Sequence, residues 1–133
     1  MNPVFLDTVG LIALWDEADQ WHSAVVPVFL SLLTTRRTMV TTPLVLLECG
    51  NAASRRTYRT DVCDLRRTML AQNRLIEPTA EEIEQAWMDY RAALAGGASI
   101  VDLVSFAVMR RLGLAQAFTN DKHFTAAGFE GLF

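Results

Sequence analysis

Five short apolar runs alternate with longer segments of helical spacing, and this alternation constrains the fold more than any other feature of the sequence. The runs are too short for helices and suit buried strands. They lie at Val4–Leu6, Thr38–Thr41, Leu75–Ile76, Ala115–Phe118 and Phe129–Phe133. Strands separated by helices pair in parallel, because each connecting helix carries the chain back across the sheet. The sequence therefore predicts a layered α/β fold with a short, mainly parallel sheet of about five strands.

Helix start and stop signals divide the rest of the chain. Thr42-Pro43 is a strong helix start, because threonine caps a helix and proline fits its first turn. Pro27 lies inside a helical pattern and predicts a kink or a break there. The predicted helices are Thr8 to Trp15, about Gln20 to Leu33, Pro43 to Arg56, Thr60 to Gln72, Thr79 to Leu94 and Ile100 to Leu112.

The composition is that of an ordinary globular protein. With 133 residues, 51% of them hydrophobic and 20% charged, the chain can bury a core, and we expect a single domain over residues 1–133. The longest apolar stretch, Ala24–Leu33, contains a proline and is too short to cross a bilayer. We see no leader peptide, and the two cysteines form neither a CxxC motif nor a disulfide framework. We therefore expect a cytoplasmic protein.

Four carboxylates lie where a chemical role is favoured. Asp7 follows the first predicted strand and Asp121 follows a later one, so parallel pairing would bring both to one edge of the sheet. Asp102 lies in the first turn of its helix, and Glu48 lies on a helix that is apolar on nearly every side. Because a buried charge is costly unless it is paired, we expect Glu48 to bind an arginine from elsewhere in the chain or a metal ion.

Each of these acids also has a structural explanation. Asp7 could cap the helix that follows it, Ser99 and Asp102 fit a capping box, and Asp121 fits an ordinary turn. If the acids converge, their mutual repulsion raises their pKa values unless a cation neutralises them. Oxygen ligands suit Mg²⁺ or Mn²⁺, and in phosphoryl chemistry such an ion activates a water and stabilises charge on the phosphate.

The basic residues favour a phosphate-rich partner more than the net charge of −3 indicates. Without the four acids, 11 acidic residues remain against 12 basic ones, so the rest of the chain carries about +1. Six arginines lie within twenty positions, and arginine binds phosphate through two parallel hydrogen bonds. A solvated helix face is the alternative explanation. The arginines predicted to contact RNA are Arg55, Arg56, Arg59, Arg66 and Arg67, with Arg74 following them.

Four motifs in this order resemble the PIN domain, and more narrowly the VapC-type toxins. They are Val-Phe-Leu-Asp-Thr at 4–8, Thr-Pro-Leu to Glu at 42–48, Ser-Ile-Val-Asp-Leu-Val-Ser-Phe at 99–106 and Phe-Thr-Asn-Asp-Lys-His-Phe at 118–124. VapC-type toxins are the ribonuclease components of bacterial and archaeal type II toxin–antitoxin pairs. The resemblance covers essentially the whole chain. It implies a PIN-like three-layer α/β/α sandwich.

The resemblance also implies a Mg²⁺- or Mn²⁺-dependent endoribonuclease with an RNA substrate, a VapB-like antitoxin partner and a homodimer. By matching position, the catalytic and metal-binding acids are Asp7, Glu48, Asp102 and Asp121, with Asp7 and Asp102 as direct ligands. Thr119 matches a hydroxyl residue that orients the last acid, and Thr8 supports the site. Val9 departs from the serine or asparagine of relatives, which removes one polar contact.

Other functions remain open at this point. A PIN nuclease without a toxin role fits the same motifs. A receiver domain also binds Mg²⁺ through acids, but it needs a phosphate-accepting aspartate at a strand end near the middle of the chain, where this sequence is helical and rich in arginine. A haloacid-dehalogenase phosphatase needs a second aspartate two residues after Asp7, where Val9 stands. His22 and His123 have no nucleophile at a spacing that indicates a catalytic pair.

Overall fold

A computed structural model describes all 133 residues, and its centre is a four-stranded parallel sheet. The strands are β1 (Val4–Leu6), β2 (Met39–Val40), β3 (Gln116–Phe118) and β4 (Glu130–Gly131). Their order in the sheet is β2-β1-β3-β4. The two central strands are paired in register, with Leu6 opposite Phe118. This register decides which residues meet just beyond the strand ends.

Seven helices flank the sheet, as the predicted α/β sandwich requires. They are α1 (Thr8–Trp15), α2 (His22–Thr34), α3 (Pro43–Ala52), α4 (Arg59–Ala71), α5 (Ala80–Ala92), α6 (Ile100–Leu112) and α7 (Lys122–Ala126). Four of the starts follow from side-chain caps: Thr42 and Asp121 each accept a hydrogen bond from the backbone of the helix that follows, and Thr79 and Ser99 each form a capping box. No helix is long and apolar enough to span a bilayer.

The predicted fifth strand at Leu75–Ile76 is reduced to a single bridge. Thr41 pairs with Leu75, its amide donates to the Arg74 carbonyl at 3.2 Å, and its carbonyl accepts from the Ile76 amide at 2.7 Å. Pro78 follows two residues later and has no amide hydrogen to continue a ladder. The last strand is likewise shorter than predicted, because it covers only Glu130–Gly131.

Helix α2 continues through Pro27, so the helix does not break there, one of the two outcomes predicted. Proline removes the hydrogen bond that would reach the Ser23 carbonyl four residues earlier. Both Ser23 and Pro27 are exposed, and water can satisfy that carbonyl. The same helix begins at His22, two residues later than predicted.

Gly10 allows α1 to lie directly on strand β3. A Cβ atom at this position would lie 2.1 Å from the Phe118 carbonyl oxygen, far inside van der Waals contact. The residues around this contact belong to the core, where Phe5, Leu6, Leu11 and Phe118 have no exposed surface. The close approach brings the first turn of α1 to the end of β3.

Candidate active site

Asp7 and Thr119 meet because their strands are neighbours in register. Each directly follows one member of the Leu6–Phe118 pair, so their side chains lie side by side at the carboxyl edge of the sheet. The Thr119 hydroxyl donates to Asp7 Oδ2 at 2.8 Å, and Asp7 is 1% exposed. Asp7 occupies the cap position of α1, but its side chain makes no capping hydrogen bond. The capping explanation for this carboxylate therefore does not hold.

Thr119 also organises the segment that carries Asp121. Its Oγ1 accepts a hydrogen bond from the Asp121 amide at 3.0 Å, while the same oxygen donates to Asp7. The resemblance implied that Thr119 orients the last acid; the structure shows that it binds the backbone of Asp121 and the carboxylate of Asp7. One buried hydroxyl thus joins two of the four acids.

Asp102 combines the capping role with a place in the acidic site. Its Oδ2 accepts from the Ser99 amide at 3.3 Å, and Ser99 Oγ accepts from the Asp102 amide at 3.1 Å. The capping box is therefore present, as one explanation predicted. The carboxylate is nevertheless buried, and one of its oxygens lies within 4.8 Å of a carboxylate oxygen of Asp121. Capping holds Asp102 in place, and it does not separate Asp102 from the other acids.

Glu48 has a hydroxyl partner. Thr8 donates to Glu48 Oε1 at 2.6 Å, so the expectation of an arginine partner is wrong. The face of α3 around Glu48 is also less buried than predicted, because Asn51 and Ala52 are exposed and only Val45 is fully enclosed. Thr8 is the first residue of α1, so this bond links the start of α1 to the middle of α3.

Burial and mutual repulsion perturb the acids. Burial raises the pKa of Asp7 to about 7; the Thr119 hydrogen bond opposes the rise, and the charges of Asp102 and Asp121 add to it. Burial also raises the pKa of Asp102, helped by the charges of Asp121 and Glu48. Each of the four acids interacts electrostatically with at least one other. The structure therefore places Asp102 and Asp121 within 4.8 Å of each other, and the charges of Asp7 and Glu48 act on this pair.

His123 is part of this site, and the sequence analysis missed it. Its Nδ1 lies 2.9 Å from Asp121 Oδ1, and its Nε2 lies 3.0 Å from the Gly96 carbonyl oxygen. The Gly96 carbonyl can only accept, so Nε2 donates to it, while Nδ1 faces the Asp121 carboxylate. The Gly96 carbonyl, followed by the Asp121 carboxylate, raises the pKa of His123. No spacing rule finds this residue, because its second partner lies 27 positions away.

The predicted RNA-contacting arginines are exposed and lie outside the acidic site. Arg59, Arg66 and Arg67 project from α4, while Arg55 and Arg56 lie in the segment between α3 and α4. None of them forms a salt bridge within the chain. They are thus free to bind an anionic partner.

Comparisons with known proteins agree with this geometry. The family model described as "PIN domain" matches residues 4–130, a range that includes all four acids and both threonines that bind them. The chain is also similar to Mycobacterium tuberculosis VapC20, whose crystal structure is described as that of a sarcin–ricin loop cleaving toxin. The sequence identity is 30%, the match covers 95% of each chain, and the TM-score is 0.78. Among curated proteins, none matches this sequence.

Proposed function

Because this chain belongs to the PIN-domain family and is of the VapC type, we propose that it is a metal-dependent endoribonuclease and the toxin of a type II toxin–antitoxin pair. The observation that carries the proposal is the meeting of Asp7, Asp102 and Asp121 at the carboxyl edge of a parallel sheet, with the pKa of Asp7 raised to about 7. Ligands bind at this edge in open α/β sheets.

The donor set fits a hard divalent cation, Mg²⁺ or Mn²⁺. All four acids offer oxygen, and burial raises the pKa of the neighbouring Cys49 thiol to about 12, so it is not a thiolate at neutral pH. The raised pKa values of Asp7 and Asp102 reflect burial and unneutralised repulsion, both of which a cation offsets. In the proposal, Asp7 and Asp102 bind the ion, and Glu48 and Asp121 support it. When bound, such an ion activates a water and stabilises charge on the phosphate.

The protein's own groups then have separate tasks. Thr119 holds the Asp7 carboxylate, and Thr8 holds Glu48, so neither acid is free to rotate away from the site. The exposed arginines of α4 and of the segment before it would bind the RNA backbone. None of these arginines forms a salt bridge within the chain, which leaves their guanidinium groups available to phosphate and supports this role.

The partners follow from the likeness to VapC20 and are proposals too. We infer a VapB-like antitoxin that covers the acidic site and a homodimer as the form that binds it. The RNA to test first is a sarcin–ricin loop, because this is the RNA named for VapC20.

The direct test is cleavage of a labelled sarcin–ricin loop RNA by purified protein with Mn²⁺. We expect Asp7→Asn and Asp102→Asn to reduce the rate by ~10²-fold or more, because each removes a proposed ligand. Glu84→Gln is the control, since Glu84 is exposed on α5, away from the proposed RNA-binding arginines, and forms no side-chain hydrogen bond. Cleavage by the Asp7 variant at the wild-type rate would overturn the assignment.

A second experiment separates a toxin from a PIN nuclease without a toxin role. Expression in a bacterial host should arrest growth, and co-expression of a short neighbouring reading frame should relieve the arrest. RNA cleavage in vitro without growth arrest would support the alternative.

A further inference from the structure

The loop between α5 and α6 is exposed and weakly anchored. Residues 93–99 are exposed except for the half-buried Ala98, and their own hydrogen bonds stay local. Gly97 donates to Leu94, and Ser99 pairs with Asp102. The bond from His123 Nε2 to the Gly96 carbonyl is the one hydrogen bond that joins this loop to a distant part of the chain. The position of the loop therefore depends on His123.

The same histidine controls the carboxylate of Asp121. Asp121 Oδ1 accepts from both the backbone amide and the Nδ1 of His123, each at 2.9 Å. Since both donors bind one oxygen, the rotation of the carboxylate is restricted and Oδ2 is left for another partner.

We propose that His123 is a positioning residue of the acidic site, one that joins Asp121 to the loop leading into the Asp102 helix and so fixes the two carboxylates relative to each other for metal binding. The inference rests on the proposed metal site. It explains why one oxygen of Asp102, one oxygen of Asp121 and one nitrogen of His123 lie within 4.8 Å of one another. Asp102 is on α6, whereas Asp121 and His123 lie at the start of α7. Groups that orient metal ligands in this way typically change metal affinity by 10–100-fold when removed.

Direct ligation by His123 is the competing explanation. Both of its ring nitrogens already face oxygen acceptors, and Mg²⁺ prefers oxygen ligands. A metal ion bound to either nitrogen would have to displace one of these two contacts. The geometry therefore favours positioning over ligation.

Three substitutions distinguish the effects of the two side-chain hydrogen bonds of His123. His123→Asn keeps a donor near the Nδ1 position but cannot reach Gly96. His123→Gln keeps a donor near the Nε2 position but not beside Asp121, and His123→Leu removes both donors while keeping a comparable volume. The readouts are the Mn²⁺ dissociation constant from titration calorimetry and amide hydrogen exchange of residues 94–99 in metal-free protein.

We expect His123→Leu to weaken Mn²⁺ binding about tenfold or more and to speed exchange in the loop. Compared with His123→Leu, His123→Asn should restore most of the Mn²⁺ affinity, while amide exchange in the loop stays fast. His123→Gln should slow amide exchange in the loop without restoring the Mn²⁺ affinity. His22→Leu is the matched control, because His22 Nδ1 contacts the Ala13 carbonyl at 2.8 Å, away from the acids. It should leave both readouts unchanged.

The outcomes are distinguishable. Absence of Mn²⁺ binding by the wild-type protein would overturn the proposed function and this inference with it. Wild-type binding that His123→Leu leaves unaltered would overturn the inference alone. Equal loss of affinity in the leucine, asparagine and glutamine variants would indicate that His123 is a ligand, and it would also overturn the positioning role.

Discussion

At the scale of single residues, Asp7 combines deep burial with the proposed role of a metal ligand, which requires a charged carboxylate. It is 1% exposed and accepts one side-chain hydrogen bond, from Thr119, so its carboxylate has lost most of its hydration. A buried carboxylate with raised pKa destabilises the folded state at neutral pH, and such groups cluster at functional sites. Asp7 is therefore expected to lower the stability of the metal-free protein.

Asp7→Asn should stabilise the metal-free protein at pH 8 and have little effect near pH 3.5. The folded-state pKa of about 7 lies above the ordinary aspartate pKa of 3.8, so between these pH values only the folded state keeps the proton. Stability therefore falls as pH rises from about 4 to about 7, and the shift corresponds to ~4 kcal/mol. Urea unfolding of the wild-type protein and the Asp7→Asn variant, in EDTA and at a series of pH values, measures the free energy of unfolding. A wild-type stability that rises over this range would contradict the prediction.

Thr119→Val should destabilise the protein by about 1–3 kcal/mol, because it leaves the Asp121 amide and Asp7 Oδ2 without their partner. The pKa of Asp7 should also rise, since the Thr119 hydrogen bond holds it down. Carbon-detected NMR titration of the Asp7 carboxyl and urea unfolding are the measurements. Thr119→Ser keeps the hydroxyl and serves as the control; an equal loss in both variants would assign the effect to packing of the methyl group.

At the scale of elements, the site depends on how closely α1 approaches β3. Thr8, at the start of α1, reaches Glu48 on α3, while Asp7 reaches Thr119 beyond β3. Both hydrogen bonds require the first turn of α1 to pack against the sheet. This packing is possible because Gly10 has no side chain. A shift of α1 would therefore disturb both pairs together.

Gly10→Ala should destabilise the protein by more than about 1–3 kcal/mol, the usual cost of overpacking, because the new methyl would meet backbone rather than a flexible side chain. Gly50→Ala is the matched control: Gly50 lies within α3, and a Cβ there meets nothing within 4 Å. That control should stabilise the protein by up to ~1 kcal/mol, since alanine favours helix. Thermal unfolding of both variants tests the pair; tolerance of alanine at position 10 would contradict the close approach.

At the scale of the whole molecule, charge is separated between the acidic site and the arginine-rich surface. The net charge of −3 conceals this, because four of the 15 acidic residues converge at one edge of the sheet. The arginines of α4 and of the segment before it carry no internal ion pairs. This distribution suits an RNA whose backbone is bound outside the place where it is cut.

Replacing both Arg66 and Arg67 by glutamine should weaken RNA binding and reduce its salt dependence. For single-stranded RNA each lost phosphate contact lowers the slope of log affinity against log salt by about 0.7. Fluorescence anisotropy at several salt concentrations, with the inactive Asp7→Asn background, measures both effects. Arg91→Gln, an exposed arginine on α5, is the control. An unchanged slope in the double variant would place the RNA on another surface.

Local patterns alone predicted the strand and helix order and the position of each acid at the end of a strand or in a helix. Short apolar runs and the caps at Thr42, Thr79 and Ser99 act within a few residues, so the sequence carries them directly. Where local rules failed, a distant contact or solvent decided: α2 continues through Pro27, where Ser23 and Pro27 are exposed and water can satisfy the freed carbonyl.

By itself, the sequence indicated which acids form the candidate site, because their places after strands and within helices follow from chain-local signals. Only the tertiary structure decided how they are held. Thr8 binds Glu48 across 40 positions, Thr119 binds Asp7 across 112, and His123 binds Gly96 across 27. No local pattern encodes such pairs, since they depend on strand register and on the approach of one helix to the sheet.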